Sequence, residues 1–261
     1  MNNHAQNISG FKQNITTQLF SDPCLIYSPW LQVDFKALDI ESIMLSQITA
    51  GINYLHTVAL KNQAKHISVA VPIEWDVLQQ KLRLTGWKPA LTRMIRVPHS
   101  AQTTHALSSE FLISVAKPTA TEIMPLLLEQ AAYHSQNYPN YYTPAKNLAN
   151  QNYLKSVQAD LDDSNSITVV IRRSGIPIAY LQAGKRNDNI SIFEIIVSKK
   201  YRGMGIGSKI LEFFLSEPKV ALSQLQVESW HDQPALGLYT KMGFKIIAQE
   251  YYLIMNTKIS T

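Results

Sequence analysis

Apolar and polar residues alternate along this chain with two periods, and each switch between them marks an element. Glu110 to Ala116 reads as a strand. Ile123, Leu126, Leu127 and Ala131 then recur at helical spacing over 121–136, and 150–161 reads as a second helix. Runs rich in β-branched residues at 167–173 and 176–184, joined by Ser174-Gly175, predict a hairpin. A short strand, Phe193-Glu194-Ile195-Ile196-Val197, precedes an apolar helix through Ile206, Ile210, Leu211 and Phe214, which Pro218 ends. A strand around Leu225-Gln226-Val227 follows. Next comes a helix with Ala235, Leu238 and Met242 on one stripe, stopped by Gly243, and then a last strand. Asp232 or Gln233 can cap that helix, with Pro234 in its first turn.

The first part of the chain repeats a piece of this pattern. Residues 67–97 read as strand, helix and strand, and Gly86-Trp87-Lys88 matches Gly243-Phe244-Lys245 at an offset of 243 − 86 = 157. At that offset Leu82 takes the place of Tyr239. Before it, 39–61 predicts a long amphipathic helix with Ile40, Ile43, Met44, Ile48 and Ile52 apolar. The segment 97–110 reads as a linker.

Chemistry enters with the glycines. Of ten in the chain, Gly203, Gly205 and Gly207 fall between a strand and the start of a helix. A helix N-terminus presents unpaired N–H groups and the positive end of the dipole, and glycine lets a bulky anion approach the backbone. A pyrophosphate site is the functional reading. The dinucleotide fingerprint fails because its third glycine would fall on Ser208. The nucleotide P-loop fails because Gly207-Ser208-Lys209 has the wrong order. What remains is Arg202-Gly203-Met204-Gly205-Ile206-Gly207, or R-x-x-G-x-G.

That string resembles the acetyl-CoA motif (Q/R)-x-x-G-x-(G/A) of the GNAT superfamily of N-acetyltransferases. A second GNAT pattern, N-x-x-A-x-x-x-Y-x-x-x-G-F, is matched by Ala235, Tyr239, Gly243 and Phe244, with Asp232 where the asparagine usually stands. The resemblance spans about residues 110–256. It implies an α/β fold, the mixed sheet of the GNAT acyl-CoA N-acyltransferases. With the repeat, it implies a tandem arrangement. Residues 1–105 would be a degenerate GNAT-like N-terminal lobe without a cofactor motif, and 106–261 the acetyltransferase domain.

The resemblance further implies acetyl-CoA as cosubstrate, with no metal. Its contacts would be the backbone of Ile195, Ile196 and Val197, the loop Arg202, Gly203, Met204, Gly205, Ile206, Gly207 and Ser208, and Asp232. Tyr239 is the expected proton donor to the leaving thiolate. Glu194, the one acid in an apolar strand, is the expected base, with Glu228 and His231 in reserve. His134 reads as a helix-surface residue. Tyr138, Tyr141 and Tyr142, in the Tyr/Asn/Pro loop 133–144, are expected to shape the acceptor pocket together with Glu228. That loop contains no acid, and Asp160-Leu161-Asp162-Asp163 reads as a solvated turn. The expected acceptor is therefore a neutral or weakly charged small-molecule or peptide amine with one reactive nitrogen. The alternative is an acyl-CoA-binding GNAT-like protein that turns over weakly or not at all.

Composition changes little in this picture. Hydrophobic residues make up 46% and charged residues 16%, as in a globular chain, and one cysteine, Cys24, leaves no internal disulfide framework. The net charge of +5 is spread along the chain without a basic stripe, so nucleic acid is not an expected partner. No apolar run approaches membrane-spanning length and the N-terminus carries no signal-peptide core, which points to a cytoplasmic monomer or homodimer.

Overall fold

The computed structural model describes residues 15–20, 30–35, 45–64, 66–98, 109–138, 151–186, 189–230 and 233–255. It packs as two compact units, Met1–Arg93 with Ile246–Thr261, and Met94–Lys245. The expected boundary at 105/106 lies in a stretch outside the described residues. Packing divides the chain elsewhere, because the last strand returns to the first unit.

In the first unit β1 (Ile15–Phe20), β2 (Trp30–Phe35), β3 (His66–Pro72), β10 (Lys245–Ile254) and β4 (Lys88–Arg96) are neighbours in that order. β2 and β3 run parallel, while β10 pairs antiparallel with β3. Six successive residues of β3 are buried, as its apolar run requires when both faces are covered. Helix α1 (Leu45–Lys61) buries Ile52, Leu55 and Ala59, and α2 (Asp76–Leu84) buries Leu78 and Leu82 against the same core. The expected start of α1 at residue 39, with Ile40, Ile43 and Met44, lies outside the described residues. Buried Gln79 is satisfied: its amide donates to Pro72 O and Ile73 O, and its Oε1 accepts from the Tyr251 hydroxyl.

In the second unit the strand order is β9 (Leu225–Trp230), β8 (Asn189–Val197), β7 (Ile176–Arg186), β6 (Ser166–Arg173) and β5 (Phe111–Val115). β5 to β8 form three antiparallel pairs, and β8 with β9 is the one parallel pair among these five strands. The hairpin turns at Ser174-Gly175 as the sequence predicts, both residues having positive φ (50° and 80°). Helices α3 (Ala120–Asn137) and α4 (Gln151–Asp162) share a core with Tyr180 of β7 and Ile196 of β8. Helix α5 (Ile206–Ser216), the short α6 (Pro218–Ala221) and α7 (Ala235–Lys241) contribute to a second core with Ile190, Ile192, Leu225 and Val227. The repeated glycines keep the same backbone conformation: Gly86 has φ 89° and Gly243 φ 85°. At the shared offset, Leu82 and Tyr239 are both buried.

One irregularity controls the rest. β8 pairs Glu194 with Gln182 and then Ile192 with Ala183, so Phe193 is an extra residue, a β-bulge. A bulge shifts the alternation of faces by one. Ile190 and Ile192 therefore share the α5 side with Ile195 and Val197, while Ile196 packs among Leu127, Leu161 and Tyr180 on the α3/α4 side. The Phe193 ring lies over Gly184, where a Cβ would come within 2.8 Å of its Cε2 and 3.4 Å of Asn165 O. Gly184→Ala is expected to push this ring aside and to cost about 1–3 kcal/mol, as overpacking typically does. Denaturant melts of the single and double variants check this. Most of the loss should return in Gly184→Ala/Phe193→Ala, and an additive double variant would show that the ring does not require the glycine.

Candidate active site

The site starts where two strands part. β8 and β9 pair only through Ile190↔Leu225, Ser191↔Gln226 and Ile192↔Val227, although β8 continues to Val197 and β9 to Trp230. Beyond the bulge the edge of β8 that faced β9 is left without a strand partner. The Ser198 N–H donates to Ile178 O on the β7 side. Alternation then sends the N–H groups of Ile195 and Val197 to the open edge. Such fixed dipoles suit an oxygen on which negative charge develops, because they need no reorganisation.

The chain leaves β8 through a 3₁₀ turn (Lys199–Tyr201) into the glycine loop. Gly203 and Gly205 have φ of 78° and 77°, the left-handed region that side chains with a Cβ adopt at a cost. Gly205 is the N-cap of α5 and offers no side-chain cap, so the first-turn amides of Ile206, Gly207 and Ser208 have no protein partner built in. Gly207 differs from the other two. Its φ is ordinary, and a Cβ there would meet only normal contacts at 3.6 Å or more, so alanine fits too.

Two side chains hold this loop, and the sequence singled out only one of them, Arg202. Glu129 of α3 accepts from the Lys199 N–H at 2.7 Å and from the Ser198 hydroxyl at 3.1 Å. Arg202 Nε donates to Val197 O at 2.9 Å, and its guanidinium lies 5.5 Å from the centre of the Tyr133 ring. Arg202 thus ties the loop to the open strand as well as bringing a positive charge to it.

Beside the open edge lies a cleft of about 540 Å³. Its walls include Ile195, Ile196 and Val197, Arg202, Gly203 and Gly205 to Ser208, with Ala235 and Leu238 of α7 and Tyr133 and His134 of α3. These are the expected cofactor contacts, with two exceptions. Met204 is 60% exposed and does not line the cleft, because it sits at the solvent side of the turn between the two left-handed glycines. Asp232, like His231, lies outside the described residues. His134 departs from its expected surface role. It lines the cleft with Nε2 3.3 Å from Gln233 Nε2, and burial, then Arg202, lowers its pKa to about 4. The imidazole is neutral at ordinary pH, which leaves Arg202 as the cleft's positive charge.

Tyr239 follows the cleft residue Leu238 in sequence but does not itself line the cleft: it is buried in the core, with its ring edge-on to Phe244 at 5.5 Å. Burial raises its phenol above the usual range, so it stays protonated. Its helix is held from behind by buried Arg96 of β4, whose Nε donates to Met242 O at the helix C-terminus at 2.9 Å. That contact spans 146 residues, and periodicity carries no signal for it.

A second cavity, about 660 Å³, adjoins β8 at the bulge. Glu194 is half-buried by surface area, with its carboxylate surrounded by protein on every side but the cavity. Burial and then Asp160 raise its pKa to about 7. Glu228 lines the same cavity and is exposed. The acceptor expectations fare differently. Tyr138, at the C-cap of α3, stacks on buried Trp230 (4.1 Å, 15°) and lines neither cavity. Tyr141 and Tyr142 lie outside the described residues. Asp160 and Asp163, expected in a solvated turn, are exposed and line the second cavity, Asp160 from the last turn of α4 and Asp163 from just beyond its end. The acid-free loop is therefore a poor guide to the acceptor's charge.

Comparisons agree with this geometry. Residues 164–246 match the family model of the acetyltransferase (GNAT) domain. No curated protein matches the sequence. Among solved structures, the chain is similar to a GCN5-related N-acetyltransferase from Sphaerobacter thermophilus (TM-score 0.62, 11% identity, 92% of this chain and 76% of that one). It is also similar to a functionally unknown conserved protein from Staphylococcus epidermidis (TM-score 0.54, 15% identity, 95% and 97%). A third similar structure is a tandem GNAT protein from the clavulanic acid biosynthesis pathway (TM-score 0.55, 14% identity, 87% and 75%). At these identities the structures speak for the fold alone. The domain match surrounds the R-x-x-G-x-G loop at the open strand edge, and the similar solved structures share the fold of GNAT proteins.

Proposed function

We propose that the protein is an N-acetyltransferase that moves an acetyl group from acetyl-CoA to a primary amine by direct attack. One observation carries this reading. A single strand, β8, turns a carboxylate with pKa near 7 into one cavity and an unpaired backbone edge, leading to the glycine loop, into another. The residues fit the cosubstrate: uncapped amides and Arg202 for the pyrophosphate, and apolar Ala235 and Leu238 for the pantetheine arm. Acetyl-CoA supplies the activated acyl group.

The chain's residues do the rest. An amine of lysine type, pKa near 10.4, is neutral in only about one molecule in 2,500 at pH 7. Glu194 takes the ammonium proton. Raising its pKa from 4.5 to about 7 narrows the mismatch with the amine and removes about 3 kcal/mol from that transfer. The neutral nitrogen attacks the thioester carbonyl carbon while the Ile195 and Val197 amides hold its oxygen. The new C–N bond forms, the C–S bond breaks, and the sulfur leaves with a proton from the Tyr239 hydroxyl. The remaining surplus proton on nitrogen goes to solvent, which also restores the tyrosine. A desolvated thiolate is a stronger base than one in water, which suits a donor as weak as a buried phenol.

Calorimetry with acetyl-CoA is expected to give one site per chain, because the first unit carries no R-x-x-G-x-G. Gly205→Asp should abolish it by adding a negative charge where the pyrophosphate sits; two equal sites would place a second motif in the first unit. Tyr239→Phe should lower kcat by about ten- to a thousandfold, the range for losing a general acid, with little change in cosubstrate affinity. Unchanged kcat, with the chemical step rate-limiting, would return this tyrosine to a packing role. Glu194 must be ionised to act, so kcat/KM should fall as pH drops through about 7. Glu194→Gln should remove that acidic limb, and its survival in the variant would move the base elsewhere.

A further inference from the structure

We propose, building on the acetyltransfer reading above, that the acceptor is an aliphatic diamine or polyamine, with its reacting nitrogen at Glu194 and a second ammonium held by Asp160.

Among the described residues, the cavity around Glu194 is walled by α4, β6, β7, β8 and β9 and lined by four carboxylates, Asp160, Asp163, Glu194 and Glu228, against one cation, the exposed Lys185. These acids come from α4, the turn after it, β8 and β9, up to 68 residues apart in sequence (228 − 160), and only the fold gathers them. Their states differ. Asp163 is used locally, its Oδ1 accepting from the Asn165 backbone and side-chain amides. Asp160 contributes its main-chain carbonyl to Gln182, which leaves its carboxylate with no hydrogen bond or ion pair among the described residues. Glu194 also has none, and it is the acid set deepest in the wall.

Two carboxylates close enough to repel, one of them withdrawn from water, would ordinarily be neutralised by an arginine or lysine. Among the described residues, Asp160 of α4 and Tyr180 of β7 act on Glu194, while Lys185 of β7 and Glu228 of β9, which has a partner of its own, line the same cavity. Tyr180 donates its hydroxyl to Gln182, not to Glu194. The charge balance is left for a ligand to complete. Among the described residues no three acids, imidazoles or thiols converge as a metal ion needs, so organic cations fit better. An ammonium binds a carboxylate at hydrogen-bond distance from any direction, and a flexible methylene chain spans from the deep acid to the outer one. A monoamine would occupy Glu194 and leave Asp160 uncompensated. A cavity of about 660 Å³ accommodates such a chain.

The test is thiol release from acetyl-CoA by the full-length protein with putrescine, spermidine, n-butylamine and a lysine-rich peptide. Putrescine or spermidine is expected to exceed n-butylamine in kcat/KM by about fiftyfold or more, with KM rising as salt screens the pair. Asp160→Asn should cost the polyamine about tenfold in kcat/KM and shrink its advantage over n-butylamine. It should also move the acidic limb to lower pH, because a negative charge that raises the Glu194 pKa is gone. A solvent-exposed position makes this variant safe for folding, and acetyl-CoA calorimetry checks it. Equal use of n-butylamine, preference for the peptide over both free polyamines, or an indifferent Asp160→Asn would each overturn the proposal while acetyl transfer stands. If no amine releases thiol, the transfer reading falls, and spermidine calorimetry decides the subsite alone. Binding weakened by Asp160→Asn upholds it, and no binding overturns it.

Discussion

The second unit depends on a pairing that stops. β8 and β9 share three residue pairs and then no more, and the bulge at Phe193 marks the point. A sheet normally leaves interior strands fully paired, because an unpaired buried N–H costs as much as a lost hydrogen bond. Ending the ladder inside the sheet gives β8 a free edge in a protected place. The same bulge turns Glu194 away from the face of Ile190 and Ile192, so an open backbone edge and a carboxylate lining the second cavity come from adjacent residues.

Around that opening, the loop is held by contacts between distant parts of the chain. Glu129 reaches from α3 to the start of the 3₁₀ turn, Arg202 folds back to Val197 O, and Arg96 grips the end of α7. Each places an ionised side chain on an otherwise unpaired backbone group, the stronger kind of hydrogen bond. These anchors fix the glycine loop and the Tyr239 helix, the two parts of the site with least secondary structure of their own.

The chemistry follows from unequal environments. His134, close to Arg202, is kept neutral, whereas Glu194, close to Asp160, is kept near the midpoint of its titration at neutral pH. Charge of opposite sign lines the two cavities along one strand: Arg202 in one, and Asp160, Asp163, Glu194 and Glu228 in the other. The first unit repeats the strand–helix–strand unit, down to the glycine turn, but Leu82 stands where Tyr239 does and no glycine loop precedes it. It offers a core where the second unit offers a site.

Sequence alone fixed the elements of the second unit, the hairpin at Ser174-Gly175 and the loop from Arg202 to Gly207. These rest on local causes: side-chain period, positive φ and an uncapped helix start. Type and spacing also singled out Glu194, which lines a cavity, and Tyr239, which is buried in the core. The sequence did not disclose the bulge, since a bulge depends on the partner strand, and Gly184 beneath the Phe193 ring was its one trace. His134, Tyr138 and Asp160 were misplaced for a related reason. Helical period says which residues share a face, and only packing decides what that face meets. The charge of the second cavity belongs to the same class: its carboxylates lie on a helix, the turn after it and two strands, and electrostatic fields add through space, whatever the order along the chain.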